Sequence, residues 1–104
     1  MSHKQQSQPG RAGKAALLKR LAADYTGNST ANQRDRIMAA IRSTGSISTV
    51  EAVRYLDIIR PSSRIVELRQ HGEPIRTLWT HEETEAGEIH RVARYVLDVK
   101  GVTV

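Results

Sequence analysis

The sequence predicts a mainly helical α+β fold, in which a three-helix core is followed by a β-hairpin and preceded by one extra helix. Apolar residues recur at helical spacing up to about residue 71. A proline and a glycine bracket the last of these helices, and after residue 74 the spacing changes to the alternation of strands.

Length and composition suit one small domain. A chain of 104 residues has room for one modest core, and with one Trp, three Tyr and no Phe that core must be mainly aliphatic. The absence of cysteine excludes a disulfide framework and a thiolate metal site. No apolar run approaches a membrane span, and the first residues lack the apolar stretch of a secretory signal. We therefore expect a soluble cytoplasmic protein with no membrane association.

The net charge of +5 is concentrated at the start of the chain. The remaining 84 residues carry 11 basic and 11 acidic side chains, which cancel. The five basic residues of the first 20 are Lys4, Arg11, Lys14, Lys19 and Arg20. A basic segment joined to a neutral domain suggests contact with a polyanion, most often nucleic acid, although a solubilising tail has the same composition.

The N-terminal part divides into a polar arm and a helix. Residues 1–12 are too poor in apolar groups to offset the entropy of ordering, so we expect a disordered basic arm. Residues 13–26 predict an amphipathic helix, which either packs on the core or forms a dimer contact. Its apolar stripe contains Leu17, Leu18, Leu21 and Ala22.

Residues 30–98 predict the main domain, which begins with two capped helices. Thr30 and Gln33 have the spacing of a capping box for the first core helix, which ends at "STGS". Ser48 and Glu51 have the same spacing at the start of the second, which runs to about Leu56. The residues expected to be buried are Ile37, Ala40 and Ile41 on the first helix and Ala52, Val53 and Leu56 on the second.

The third core helix follows a tight turn through Asp57 and Ile58. Pro61 stands in its first turn, where proline is tolerated, and Gly72 supplies the C-terminal stop. A hairpin follows, with strands in "IRTLWT" and "IHRVARYVL" and a turn in "HEETEAGE". We expect Trp79 and Tyr95 to pack in or beside the hairpin core. Residues 99–104 predict a tail or a short strand.

Three short helices followed by a hairpin is the order of a winged helix-turn-helix, whose third helix enters the major groove of DNA. The sequence also resembles the small helix-turn-helix DNA-binding domains encoded largely by phages and prophages. The resemblance covers about residues 32–97 and is carried by "QRDRIMAAIRSTGSISTVEAVRYLDIIRP", "RIVELRQHGEPI" and "HRVARYVL". It implies a DNA-binding protein of the bacterial host cytoplasm or nucleoid.

The third helix offers a plausible reading surface. A helical wheel places Pro61, Ile65 and Leu68 on the buried side. The predicted DNA-binding residues are Arg60, Ser62, Ser63, Arg64, Val66, Glu67 and Gln70. Arginine suits guanine or phosphate, glutamine suits adenine and valine suits a thymine methyl, while Glu67 either accepts from a cytosine amine or repels phosphates. In the alternative interpretation the two serines cap the helix and the arginines solvate it.

Contacts to the DNA backbone are predicted for basic residues outside the reading face. They are Lys14, Lys19, Arg20, Arg69, Arg76, Arg91 and Arg94. The predicted hairpin tip is acidic and would be repelled by phosphates, so it either faces a protein partner or keeps the hairpin soluble. Its carboxylates are Glu82, Glu83, Glu85 and Glu88.

Neither a cofactor nor an enzymatic activity is predicted. His81 and His90 could face each other across the hairpin, but their spacing matches no metal signature. No phosphate-binding loop, nucleophile elbow or Ser/His/Asp order is visible.

The functional prediction is sequence-specific binding of double-stranded DNA, as a transcriptional regulator or an excisionase-like recombination accessory protein of a phage or mobile element. The alternative is a protein-interaction module, such as a phage-encoded inhibitor of a host protein, that uses the winged helix as a scaffold. A homodimer is expected, because one short helix reads few base pairs.

Overall fold

The computed structural model describes residues 11–84 and 86–98. Its elements are, in chain order, α1 (Arg11–Asp24), α2 (Thr30–Thr44), β1 (Ile47–Ser48), α3 (Thr49–Leu56), α4 (Pro61–Gln70), β2 (Ile75–Glu83) and β3 (Ile89–Leu97). The predicted mainly helical α+β fold is confirmed: α2, α3 and α4 form the core, β2 and β3 form the hairpin, and α1 precedes them. The predicted tail at residues 99–104 and the first ten residues of the predicted arm lie outside the described residues.

The start of α2 differs from the prediction. Ser29, in extended backbone, is the N-cap, and its Oγ accepts a hydrogen bond from the Asn32 backbone N–H at 3.1 Å. Thr30 is already helical, so the predicted capping box of Thr30 and Gln33 is wrong. Gln33 stands one residue too deep in the helix to reach the N-cap, and its Nε2 donates instead to the Asn28 carbonyl at 3.0 Å.

The start of α3 is as predicted. Ser48 Oγ accepts from the Glu51 backbone N–H at 3.0 Å, and the Glu51 carboxylate accepts from the Ser48 N–H at 3.1 Å, which completes the capping box. Ala52 and Leu56 are buried as expected, whereas Val53 is 50% exposed, so the prediction that Val53 is buried is wrong. Val53 is turned about 100° from Ala52 around the helix, outside the short stripe that meets the core.

The turn between α3 and α4 and the end of α4 follow the local sequence. Asp57 adopts left-handed backbone at φ 56, which Asp tolerates better than most residues, and the next side chain, Ile58, is fully buried. Pro61 opens α4 as predicted. Past its end Gly72 has φ +96, and hydrogen bonds from Gly72 N to Arg69 O and from Glu73 N to Leu68 O, each 3.0 Å, close the turn.

The sheet contains one strand that the sequence did not predict. Its order is β1-β3-β2, and β1 pairs with β3 through Ile47 opposite Tyr95 and Ser48 opposite Arg94. A two-residue strand is too short for alternation to be recognised. β2 is also longer than predicted, because it continues to Glu83, so that the predicted turn "HEETEAGE" loses its first residues to the strand.

The core joins all the helices to the base of the sheet. Its fully buried side chains include Leu18, Ile37, Ile47, Leu56, Ile58 and Ile65. Leu18 comes from α1, and Leu21 and Ala22 pack against the same cluster. The sequence left two alternatives for the N-terminal helix, packing on the core or forming a dimer contact. In the structure its apolar stripe packs on the core.

A buried arginine ties the loop before α2 to the end of α3. Arg36 is 5% exposed, and its guanidinium donates to the carbonyl oxygens of Tyr25 at 3.0 Å and Leu56 at 3.1 Å. It also donates to Asn28 Oδ1 at 3.3 Å and to the Gly27 carbonyl. The helix pattern gave no signal of this role, because a lone arginine on a helix ordinarily solvates the surface.

Candidate nucleic-acid interface

The orientation of α4 agrees with the helical wheel. Its buried residues are Pro61, Ile65 and Leu68. The opposite side is exposed and carries Arg60, Ser62, Val66 and Gln70, with Val66 51% exposed. About half of the Val66 side chain therefore remains available for contact with another molecule.

The N-terminus of α4 is not capped by a side chain. Arg60 occupies the N-cap position without a side-chain hydrogen bond to the helix. The backbone N–H groups of Ser63 and Arg64 reach the Arg60 carbonyl at 3.2 and 3.5 Å. The alternative interpretation, in which Ser62 and Ser63 cap the helix, therefore does not describe this end. The first turn presents partial positive charge and hydroxyl groups beside the exposed Arg60, an arrangement suited to phosphate.

Two predicted reading residues are bound to each other. Arg64 Nε and Nη2 donate to the two carboxylate oxygens of Glu67 at 2.9 and 2.7 Å, and Arg34 Nη1 from α2 reaches Glu67 Oε1 at 2.8 Å. Hydrogen bonds from Arg64 and then Arg34 hold the pKa of Glu67 below its ordinary value. Arg64 also donates to Gln33 Oε1 at 3.2 Å. This cluster fixes α4 against α2. The sequence reasoning missed Arg34, whereas the i,i+3 spacing of Arg64 and Glu67 was a usable signal.

One face of the hairpin lies on the same side as α4. Arg69, near the end of α4, donates from Nε to the Ile75 carbonyl at 3.0 Å and from Nη2 to Thr77 Oγ1 at 2.9 Å. Because side chains alternate along a strand, the face that carries Thr77 is shared by residues two and four positions away and by their cross-strand partners. We call it the helix-side face. It carries Thr77, Trp79 and His81 of β2 and Arg91, Ala93 and Tyr95 of β3.

Arg91 and Trp79 form a stacked pair on the helix-side face. The Arg91 guanidinium carbon lies 4.1 Å from the centre of the Trp79 ring. Of the two expected placements, in or beside the hairpin core, Trp79 does not take the first, because it is 56% exposed, whereas Tyr95 is buried. Trp79 stands too far along the hairpin for the helices to cover it, and Arg91 shields only part of its ring. This face thus extends the exposed surface of α4 with one positive charge and one aromatic ring.

Arg94 and Lys14 belong to an ion-pair cluster on the opposite face of the hairpin. Arg94 pairs with Glu82 at 2.8 Å and Glu51 at 3.2 Å, and Lys14 reaches the same Glu51 at 3.2 Å. Burial alone would raise the pKa of Glu82, but hydrogen bonds from Thr80, Ser48 and Arg94 outweigh it, so the pKa is lowered. Lys14 and Arg94, which were both predicted to contact the DNA backbone, are therefore already held by carboxylates within the protein.

The other predicted backbone contacts are spread over the surface. Arg76 is exposed and, by strand alternation, lies on the face opposite Thr77 and Arg91. Lys19 and Arg20 are exposed on α1, with Lys19 Nζ 5.7 Å from the centre of the Tyr55 ring of α3. Of this group, Arg69 lies on α4 itself and contacts the start of the helix-side face, and Arg91 lies farther along that same face.

The hairpin tip is less acidic than the sequence suggested. Glu82 points into the ion-pair cluster, with its side chain 17% exposed, while Glu83 and Glu88 remain exposed. Glu85 lies outside the described residues. The expectation that His81 and His90 face each other is wrong, because His81 lies opposite Arg91 and His90 lies opposite Glu82, which places the two rings on different faces.

The fold and this surface define a winged helix-turn-helix protein: α3 and α4 form the helix-turn-helix, and the β2–β3 hairpin forms the wing. The sequence profile of the family described as "Winged helix-turn-helix domain" matches residues 32–100, about two thirds of the chain. The chain belongs to this family, and the predicted membership of a helix-turn-helix family is confirmed. Searches of curated proteins and of solved structures gave no match. In residues 11–84 and 86–98 no helix has the length and apolar character needed to cross a bilayer.

Proposed function

We propose that the protein binds double-stranded DNA in a sequence-specific manner, with α4 in the major groove and the helix-side face of the wing against the flanking backbone. One observation carries the proposal. α4 buries its apolar stripe and exposes Arg60, Ser62, Val66 and Gln70, and Arg69 joins this helix to the wing face that carries the Arg91–Trp79 pair. In a family defined by helix-turn-helix architecture, this is the surface that a duplex would meet.

The proposal divides the exposed residues by role. Arg60, at the N-terminal edge of α4, addresses a guanine or a phosphate, and Gln70 addresses an adenine. Ser62, Ser63 and Val66 lie between them, and the valine suits a thymine methyl. Arg64 and Glu67 position α4 on α2 and contribute to reading only if their pairing opens.

Phosphate contacts are assigned by position relative to α4. Arg69 and Arg91 flank the reading face, and Arg69 keeps two hydrogen bonds to β2 while its side chain remains exposed. The DNA backbone would be reached by the remaining basic residues only where a duplex bends or extends around the domain. These residues are Lys19, Arg20 and Arg76. Lys14 and Arg94 act within the protein, because both are held by carboxylates.

The biological role that we propose is regulation of transcription, or an excisionase-like accessory role in recombination, for a phage or mobile element. Support comes from the resemblance of residues 32–97 to phage and prophage domains. The protein would work in the cytoplasm or nucleoid of a bacterial host. The action that we propose is binding and not catalysis.

A second function, a protein-interaction module, is favoured by a groove on the other side of the domain. Two adjoining pockets between α3 and the outer part of the hairpin form it. Both are lined by Val50, Arg54 and Thr84, one also by Ile89 and the other also by Val53. Val53 and Ile89 are 50% and 65% exposed. Together with the acidic tip, this surface could bind a host protein while the winged helix serves as a scaffold.

Binding of labelled random duplex DNA across a salt series separates the two functions. For DNA binding, the logarithm of affinity should fall linearly with the logarithm of salt concentration, with a slope of about −0.9 per phosphate contact. Arg91→Ala should reduce the slope by about one contact, whereas Arg76→Ala, on the opposite face of the same hairpin, should change it less. No binding to duplex at low salt would refute DNA binding and leave the interaction module.

A further inference from the structure

The outer edge of β2 is nine residues long, and no strand in residues 11–84 and 86–98 pairs with it. Hydrogen-bonded pairs alternate along an antiparallel ladder. Asp98 N donates to Pro74 O at 2.7 Å and Thr84 N donates to Glu88 O at 2.9 Å, so the even-numbered residues of β2 point their backbone groups at β3. The residues that direct their backbone N–H and C=O groups outwards are Thr77, Trp79, His81 and Glu83.

This edge carries charged side chains, but it lacks the other features that usually discourage pairing. Edge strands are commonly short, interrupted by proline or bulged. β2 contains no proline and exceeds the usual strand length of about 5–6 residues. It also exposes Leu78 and Trp79, at 37% and 56%. Only its beginning is covered, because Arg69 binds the outward carbonyl of Ile75.

We propose that β2 pairs with β2 of a second copy of this chain, antiparallel, about a twofold axis at Trp79. The two sheets would then form one sheet of six strands. Trp79 would stand opposite the partner's Trp79, and Thr77 opposite the partner's His81, so that outward backbone groups meet outward backbone groups. Leu18 in the apolar stripe of α1 is not available for this contact, because it is fully buried in its own protomer.

The charge pattern of β2 selects this direction and register. β2 carries Arg76 as its second residue, has Arg69 beside its first residue, and ends with Glu82 and Glu83. Antiparallel pairing centred on Trp79 brings the partner's Glu83, which is exposed, to Ile75, where Arg69 lies. It also places Arg76 opposite the partner's Glu82, which Arg94 of its own protomer already holds. Parallel pairing would align like charges. Registers centred one residue to either side lose the match of Arg76 with Glu82.

A twofold axis perpendicular to the sheet keeps the helix-side faces of both protomers on one side of the dimer. Both α4 helices would therefore point the same way, with two Arg91–Trp79 pairs between them. Given the proposed function, this arrangement presents two reading helices to one duplex with a twofold-symmetric site. This consequence alone rests on the proposed function, because the pairing itself requires no DNA.

Disulfide trapping tests the register directly, because the chain contains no cysteine. Trp79→Cys should form a covalent dimer under mild oxidation, since Cα atoms of a hydrogen-bonded antiparallel pair lie about 5.5 Å apart, within the range of a disulfide. Ile89→Cys, on β3 and 65% exposed, is the matched control and should stay monomeric. A mixture of Leu78→Cys and Thr80→Cys should cross-link more than either alone. Trapping of Trp79→Cys no faster than Ile89→Cys would overturn the proposal.

Sedimentation equilibrium tests the pairing without cross-linking. Wild type should dimerise in the absence of DNA. His81→Pro removes two outward N–H donors per dimer and none from the β2–β3 ladder, so the dissociation constant should rise at least about tenfold. His81→Ala retains the N–H and should dimerise like wild type, and a thermal melt confirms that both variants are folded. A wild-type protein that sediments as a monomer, or equal dissociation constants for the two variants, would overturn the proposal.

Discussion

Replacing Arg36 with methionine should destabilise the protein strongly, although the residue contacts no proposed ligand. Arg36→Met keeps most of the side-chain volume and removes the guanidinium. The Leu56 carbonyl, whose hydrogen bond to Arg36 is buried, is then left unsatisfied, which costs about 1–3 kcal/mol. The bonds to Tyr25, Gly27 and Asn28 are partly exposed, so water recovers some of their contribution. Relief of the buried charge offsets another part, and we expect a net loss of about 3 kcal/mol.

Thermal melting followed by circular dichroism measures this effect. For a domain of this size, a loss of about 3 kcal/mol lowers the Tm by on the order of 15 °C. The matched control is Arg42→Met on the same helix, where the guanidinium is 61% exposed and lies 3.7 Å from Glu73, so the Tm should barely change. Equal melting temperatures for the two variants would refute the reasoning that Arg36 joins the α1–α2 loop to α3.

Three further predictions concern α1, the ion-pair cluster and the reading helix. Leu18→Ala should lower the free energy of unfolding by about 2–5 kcal/mol in urea titrations, because the side chain is fully buried, and a wild-type midpoint would contradict its place in the core. The lowered pKa of Glu82 contributes stability that is present above its ordinary value near 4.5 and is lost as the pH falls through the folded-state pKa. The difference in Tm between wild type and Glu82→Gln should therefore shrink as the pH falls below 4.5, and a difference independent of pH would count against this. Glu67→Gln should release Arg64 and Arg34 and raise the affinity for random duplex DNA. The slope of log affinity against log salt should steepen by about 0.9 for each of these arginines that reaches a phosphate. An unchanged slope would show that neither arginine reaches one.

Features set by neighbouring residues could be predicted from the sequence. The capping box of Ser48 and Glu51, the opening of α4 at Pro61 and its stop at Gly72 all depend on residues within one helical turn of each other. The α2 cap was misplaced because Ser29 and Thr30 are adjacent and both are good N-cap residues. Only the path of the incoming chain decides between two such residues.

Features set by distant residues could not be predicted. Glu82 was read as part of an acidic tip, because its partner Arg94 lies 12 residues away and pairs with it only once the hairpin has formed. Glu51 was recognised as a cap, but its pairing with Arg94 spans 43 residues. β1 exists only because β3 returns beside it. The exposed side of α4 could therefore be predicted from the periodicity of one helix, whereas on the hairpin long-range ion pairs decide which arginines are already engaged.

The most direct test of the central claim is whether the outward face of α4 reads base pairs. A preferred duplex would be selected from a random library, and affinities for it and for a random duplex would be measured at fixed salt. Gln70→Ala should lower affinity for the preferred duplex by about 1–3 kcal/mol and leave random binding nearly unchanged, because a base contact is lost and no phosphate contact is. Arg60→Ala should also lower affinity for the preferred duplex. Wild-type affinity of both variants for the preferred duplex would contradict the account and remove α4 from the reading role.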